Sequence, residues 1–257
     1  QPTLRDAIGQ ATSPQARRDI VKAYATLQAR GLAGLGVNLN FAPVVDLDWG
    51  IVNPADKNTR INARVVSRDP VLVGDIAATY CAALAAQRVH CTLKHFPGIG
   101  RVFEDTHRQP AALGVPLAEL ETTDLVPFRR VLADGDAAAV LMMSHVLVTA
   151  LDKDDPASRS AAVVQRYIRD AWGHDGLIVT DDLCMGAIYE SGAGIGVSSV
   201  RALNAGVDLV LIAWDSSQYY SVMAALLRAQ ARGRLDDHAL GRSRQRLAKA
   251  LAGLGRR

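Results

Sequence analysis

An imidazole and a carboxylate stand two positions apart at the end of Lys94-His95-Phe96-Pro97-Gly98-Ile99-Gly100-Arg101-Val102-Phe103-Glu104-Asp105-Thr106-His107. The stretch reads as a strand end followed by a loop hinged on Gly98 and Gly100. In extended backbone, side chains at i and i+2 point the same way, so Asp105 can orient the His107 ring and raise its basicity. That pair is an acid/base device, although an isolated Asp-x-His also describes a solvated turn. A second group of acids lies about 75 residues further on, where the apolar run Gly176-Leu177-Ile178-Val179-Thr180 breaks into Asp181 and Asp182. Such a run reads as a buried parallel strand, and α/β folds carry their chemistry at the carboxyl ends of their strands. Asp181 and Asp182 can also cap the helix that follows. Both roles are compatible, with Asp181 facing a pocket and Asp182 supporting the backbone.

The elements that must position these groups alternate along the chain. Strands are expected at Val37 to Val45, Cys91 to His95, Ala139 to His145, Leu177 to Thr180 and Val207 to Trp214. Helices are expected at 71–88, 118–133, 161–172, 197–205, 216–232 and 236–253, after a first one that starts at Ser13-Pro14 and runs to Gly31 with Ile20, Tyr24 and Leu27 on one face. Repeated βα units imply a parallel sheet with right-handed crossovers in one domain, barrel-like or doubly wound. The polar stretch Asp46 to Asn62 is a long βα loop of the kind that shapes an active-site mouth. Gly192-Ala193-Gly194-Ile195-Gly196 lacks the full G-x-G-x-x-G spacing and follows no strand, so it reads as a flexible loop rather than a phosphate cradle.

Composition excludes several classes. A chain of 257 residues, 49% hydrophobic and 21% charged, buries a large core and is not disordered. The net charge of +3 comes largely from Arg242, Arg244, Arg246, Arg256 and Arg257, expected on a solvated helix face rather than a nucleic-acid site. No apolar run is long enough to span a membrane. Cys81, Cys91 and Cys184 are odd in number and lack metal or disulfide spacing, which points to a reducing compartment, the cytoplasm, or at least to a fold that does not depend on bridges.

Six blocks then occur in a distinctive order: Asn40-Phe41-Ala42-Pro43-Val44-Val45-Asp46, Lys94-His95-Phe96-Pro97-Gly98, Asp105-Thr106-His107, Met143-Ser144-His145-Val146, Pro156-Ala157-Ser158 and Asp181-Asp182-Leu183-Cys184-Met185. In this the chain resembles family 3 glycoside hydrolases, more narrowly the bacterial β-N-acetylhexosaminidases that act on peptidoglycan fragments. The resemblance implies an α/β fold of the (β/α)8 TIM-barrel type over residues 1–257. It implies a retaining exo-β-N-acetylglucosaminidase acting on saccharides or muropeptides, as a monomer without cofactor or metal. Asp181 would be the nucleophile and His107 the general acid/base oriented by Asp105, while Asp46, Arg64, Lys94 and His95 would bind sugar hydroxyls. Two departures stand out: the family's Arg-Ser-Phe is Arg64-Val65-Val66 here, and Ile99 stands where a second histidine is usual. The family also carries two further βα units before the counterpart of Gln1, so the chain is expected to lack the first units of its barrel and the native protein to be longer at its amino end.

The chemistry suits the residues. Glycoside cleavage builds positive charge at the anomeric carbon, which a carboxylate stabilises and then bonds, while an imidazole with an ordinary pKa of about 6.5 protonates the leaving oxygen. Neighbouring strand residues face opposite ways, so either Lys94 or His95 could face the barrel wall. His145 is expected to pack and hydrogen-bond rather than catalyse. With no sugar bound, the loop is expected to hold His107 about 10 Å or more from Asp181. Two other classes remain open: a metal-dependent barrel hydrolase using His95, His107, His145 and Asp181, and a catalytically silent sugar-binding module.

Overall fold

The apolar runs lie side by side as parallel strands in the computed structural model of the protein, which describes residues 3–133, 139–189 and 192–254. The strands are β1 (Cys91–Phe96), β2 (Ala111–Leu113), β3 (Ala139–Met143), β4 (Val146–Val148), β5 (Ile178–Asp182) and β6 (Leu209–Leu211). β1, β3, β5 and β6 form one parallel sheet in that order, and β2 pairs with β4 in a second. The helices are α1 (Leu4–Gly9), α2 (Pro14–Gly34), α3 (Ile61–Arg64), α4 (Pro70–Ala85), α5 (Leu117–Thr122), α6 (Val126–Leu132), α7 (Gly186–Tyr189), α8 (Gly194–Asn204), α9 (Gln218–Ala231) and α10 (Asp237–Leu254). A 3-10 turn (Ala157–Arg159) and a helix of π character (Ala162–Ala171) complete the described elements. This is a TIM-barrel-like α/β arrangement, parallel strands inside with helices packed over them.

Several expected elements are shorter or divided. The 37–45 segment runs parallel to β1 through backbone bonds such as His90 N–H to Asn38 O (2.8 Å) and Val45 N–H to Lys94 O (2.8 Å). Its ladder is interrupted, because Pro43 has no N–H to give. Of the stretch 139–145, β3 takes the first five residues, and Ser144 and His145 lie between it and β4. The expected helix 118–133 divides at Thr123, whose φ and ψ of −130° and −93° leave the helical region. Gly192 and Ala193 precede α8, while Gly194 opens it with φ +73° and Gly196 lies in its first turn, so the expected loop ends sooner than its glycines suggest.

α2 begins as expected, with the Ser13 side chain accepting the Ala16 N–H and Pro14 in the first turn. Its buried face is Val21, Ala25 and Ala29, while Leu27 is 61% exposed. Small residues there let α2 approach α4 closely, so the large apolar residues fall beside the contact instead of in it.

Two expectations from composition are corrected. Cys81 on α4 and Cys91 at the start of β1 form a disulfide with their Cα atoms 5.3 Å apart. The chain reversal after α4 brings them together, which spacing alone does not reveal, and the cysteine argument for a reducing compartment falls away. In the basic tail, Arg246 is buried at 7% exposure instead of solvated, paired with Asp208 (3.1 Å) and Asp175 (2.8 Å). Fully buried Asp208 also accepts from Arg169 (2.7 Å) and from the Ile178 N–H (2.8 Å), tying α10 to the foot of β5. Arg256, Arg257 and Gln1 lie outside the described residues. Among the described residues no helix is long and apolar enough to cross a membrane.

His174, beside that network, is pushed down from the ordinary histidine value to about 4 by burial and by Arg169 and Arg246. The unfolded chain takes up this proton below about pH 6.5 and the folded chain does not, so stability is full above that pH and is lost on acidification. We expect His174→Gln to reduce the fall in Tm between pH 7 and pH 4.5, measured by thermal unfolding across that range.

Candidate active site

The chemically capable side chains gather at the carboxyl ends of the parallel strands. Asp181 and Asp182 end β5, Lys94 and His95 lie near the end of β1, and His145 follows β3. Asp46 ends the segment that runs beside β1.

Asp46 has no exposed side-chain surface and lies behind His95. Its carboxylate accepts the His95 Nδ1–H (2.7 Å), the His95 backbone N–H (3.2 Å) and the Ile99 N–H (2.7 Å). The other His95 nitrogen, Nε2, meets the Arg64 guanidinium at 3.4 Å. Arg64, despite its altered neighbours, is thus at the site, and Ile99 contributes its backbone. Lys94 shares the same surroundings: burial and the Arg64 charge lower its pKa, while Asp181 and Asp46 act in the opposite direction. Both Lys94 and His95 therefore belong to the site. The register of β1 against β3 becomes irregular between Leu93 and Phe96, which breaks the simple alternation of faces.

Asp181 and Asp182 separate in role. Asp182 accepts the N–H groups of Cys184 (3.0 Å), Ala213 (3.0 Å) and Trp214 (2.8 Å), joining β5 to the loop after β6. Asp181 accepts the Asp182 N–H (2.9 Å). Burial raises the Asp181 pKa, but His95, His145, the Asp182 N–H and Lys94 outweigh it and hold the carboxyl below the ordinary aspartate value. An ionised, partly desolvated carboxylate beside a lysine and two imidazoles is suited to meet a developing cation.

His145 is buried with both ring nitrogens engaged, Nδ1 by Ser158 Oγ (2.8 Å) and Nε2 by the Asp182 carbonyl (2.9 Å). Burial lowers its pKa. It packs and orients the strand ends.

Asp105 and His107 do form a pair, with Nδ1 to Oδ1 at 3.3 Å. Asp105 also accepts from Asn58 (2.7 Å), Thr59 Oγ1 (3.0 Å) and the His107 N–H (3.1 Å). Burial acts against ionisation, yet these donors and the His107 charge lower the Asp105 pKa. The loop rests on the first residues of α7, which follows β5: Gly186 N–H donates to His107 O (2.7 Å) and Ala187 N–H to Thr106 O (3.3 Å). Among the described residues, no three histidine, cysteine or acidic side chains converge as a metal site.

Asn58, Thr59, Trp49, Arg101 and Asp124 escaped the sequence reading. The break between α5 and α6 turns Asp124 inward, where it accepts from Trp49 Nε1 (2.8 Å) and Arg101 Nε (2.9 Å) beneath the turn after β1. Arg101 also stacks 3.5 Å over the Trp49 ring. The only signal for these contacts was the polarity of the 46–62 loop.

With that geometry in place, the chain belongs to glycosyl hydrolase family 3: the family described as "Glycosyl hydrolase family 3 N terminal domain" matches residues 5–250. The Beta-hexosaminidase of Stenotrophomonas maltophilia (strain R551-3) is 38% identical over 213 residues, 82% of this chain and 60% of that protein. The Beta-hexosaminidase of Xanthomonas oryzae pv. oryzae (strain MAFF 311018) is 37% identical over 202 residues, 79% of this chain and 57% of that protein. The chain thus spans about 60% of the length of these relatives. Among solved structures, a family 3 β-N-acetylglucosaminidase from Paenibacillus sp. str. FPU-7 superposes with a TM-score of 0.87 at 30% identity, covering 98% of this chain and 45% of that one. A family 3 member from Mycobacterium smegmatis str. MC2 155 gives 0.82 at 34% identity, covering 97% and 72%.

The two glycines of the expected hinge are held differently. Gly98 adopts φ +111°, and a Cβ there would lie 3.0 Å from the Asp124 Cβ. At Gly100 a Cβ would come within 1.9 Å of the Leu47 carbonyl oxygen, a backbone atom. Close packing, rather than an open hinge, is what requires glycine at position 100. Gly100→Ala is expected to destabilise the fold by about 1–3 kcal/mol, as overpacking does, measured as a lower urea midpoint with unchanged m-value.

Proposed function

We propose that this chain is the catalytic barrel of a retaining exo-β-N-acetylglucosaminidase that removes terminal β-linked N-acetylglucosamine from peptidoglycan-derived muropeptides. What supports this most is Asp181: an ionised carboxylate at the end of β5, ringed by His95, His145 and Lys94, with the loop of an Asp–His pair resting on the next turn of chain. The hexosaminidase names of relatives at 37–38% identity support the sugar class.

In this reading Asp181 attacks the anomeric carbon as the glycosidic C–O bond breaks, and His107 gives its proton to the leaving oxygen. Water then replaces Asp181 at that carbon and returns a proton to His107. Arg64, Lys94 and His95 hold the sugar hydroxyls through charge-assisted bonds, with Asp46 fixing His95 from behind. Sugar binding brings the His107 loop over Asp181, which requires the Gly186 and Ala187 contacts to shift. No metal enters the sequence of steps: the nitrogens of His145 and the Nδ1 atoms of His95 and His107 are engaged within the protein.

The test is hydrolysis of a chromogenic N-acetylglucosaminide together with trapping by a fluorosugar. Asp181→Asn is expected to abolish labelling and turnover, and His107→Ala to lower kcat by roughly 10²–10⁴-fold. Because the Asp181 pKa is lowered, the acid limb of kcat/KM assigned to it should fall below the ordinary aspartate value of about 3.9. Normal turnover by Asp181→Asn, or loss of activity on chelation, would sink the reading. Tight sugar binding with no hydrolysis by the intact protein would instead identify a silent binding module.

A further inference from the structure

Thr59 is 4% exposed in a polar loop, although a threonine in such a loop would ordinarily turn its hydroxyl to water. Three backbone bonds to Asp56 hold it in place: Asp56 accepts the N–H groups of Asn58 (3.0 Å), Thr59 (2.8 Å) and Arg60 (2.7 Å). The Thr59 carbonyl accepts from Arg64 (3.1 Å), so the turn is joined to the guanidinium that reaches His95. Its Oγ1 lies 3.0 Å from Asp105 Oδ1 and 3.0 Å from His107 Nδ1. The direct His107 to Asp105 separation is longer, 3.3 Å. The hydroxyl is therefore the nearer partner of the imidazole.

A count of protons gives this arrangement a direction. The ionised Asp105 carboxylate can only accept, and a hydroxyl has one proton to donate. If that proton faces Asp105, the oxygen presents a lone pair to Nδ1, which must then carry the hydrogen. The opposite orientation would set the hydroxyl oxygen and the carboxylate oxygen lone pair to lone pair at 3.0 Å. With Nδ1–H committed to Thr59, Nε2 is the nitrogen left to exchange protons, on a ring whose side chain is 38% exposed.

We propose that Thr59 is a positioning residue for the acid/base: its hydroxyl links His107 to Asp105 and, together with that carboxylate, holds the ring in the tautomer and orientation in which Nε2 carries out proton transfer. Asn58, bonded to the other Asp105 oxygen at 2.7 Å, holds the carboxylate from the far side. The consequence for catalysis rests on the glycosidase reading above, whereas the consequence for the ring's hydrogen bonding does not.

The experiment compares Thr59→Val, Thr59→Ala and Thr59→Ser in the full chain. Long-range ¹⁵N–¹H spectra of the His107 ring, assigned through His107→Ala, should show Nδ1–H in the native protein and in Thr59→Ser. Both hydroxyl-free variants leave Asp105 as the acceptor at Nδ1, so the tautomer is kept and the Nδ1–H resonance should move to the position of a direct imidazole–carboxylate bond. In kinetics on an N-acetylglucosaminide with a poor leaving group, each of those two should lose about tenfold in kcat, the worth of one hydrogen bond, with KM changed less than about twofold. Thr59→Ser should restore the rate. The loss should shrink with an activated aryl leaving group, which needs little protonation, and a fold defect would not show that dependence. An unchanged Nδ1–H resonance in both hydroxyl-free variants overturns the proposal whatever the activity. So does an unchanged kcat on the poor leaving group while His107→Ala is impaired. If instead His107→Ala and Asp181→Asn turn over normally, the glycosidase reading fails and the Nδ1–H measurement still decides the role of Thr59.

Discussion

A carboxylate with no access to water must be met by donors, and the donors that meet Asp46 fold the turn after β1 around it. Its side chain is fully buried and accepts from the His95 ring, the His95 backbone and the Ile99 backbone. An unpaired anion at that depth would cost several kcal/mol, so the turn has little freedom to take another path. The rest follows from that constraint. The His95 ring is aimed at Arg64. The Gly98 N–H closes onto the His95 carbonyl at 2.7 Å. Gly100 is drawn against the Leu47 carbonyl so closely that no side chain fits. Two segments distant in sequence become one rigid unit at the mouth of the barrel.

Charge is then distributed unevenly over three acids on that face. Asp182 is consumed by three backbone N–H groups and joins β5 to the loop after β6. Asp105 is held by Asn58, Thr59 and the backbone of His107. Asp181 accepts from the Asp182 N–H, and its carboxyl stays ionised because His95, His145 and Lys94 offset its burial. Adjacent and chemically identical residues thus differ in the number of backbone donors each one meets. The buried group of Asp208, Arg169 and Arg246 at the other end of the strands fastens α10 to the sheet.

How far the sequence was legible depended on how local the cause was. Strands buried on both faces were readable because burial on both sides favours a run of apolar residues: β3 lies within its expected stretch, and β1 and β5 overlap theirs and run on by one and two residues. Helix starts at Ser13-Pro14 and Asp69-Pro70 obey capping chemistry that acts over a few residues. The division of 118–133 was not legible, since it places Asp124 against Trp49 and Arg101, partners far away in the chain. The burial of Arg246 was missed for the same reason, and so was the disulfide between Cys81 and Cys91.

By itself, the order of residue types determined the family-like blocks, the parallel α/β plan and the acids, lysine and histidines at strand ends, because strand periodicity and loop polarity are written in neighbouring residues. Only the tertiary structure decided that Asp46 sits behind His95, that Lys94 and His95 both lie near Asp181, that Asp182 meets three backbone donors while Asp181 stays ionised, and that Thr59 stands between Asp105 and His107. Those assignments depend on which donors reach which acceptors across gaps of tens of residues, and that is set by packing in three dimensions.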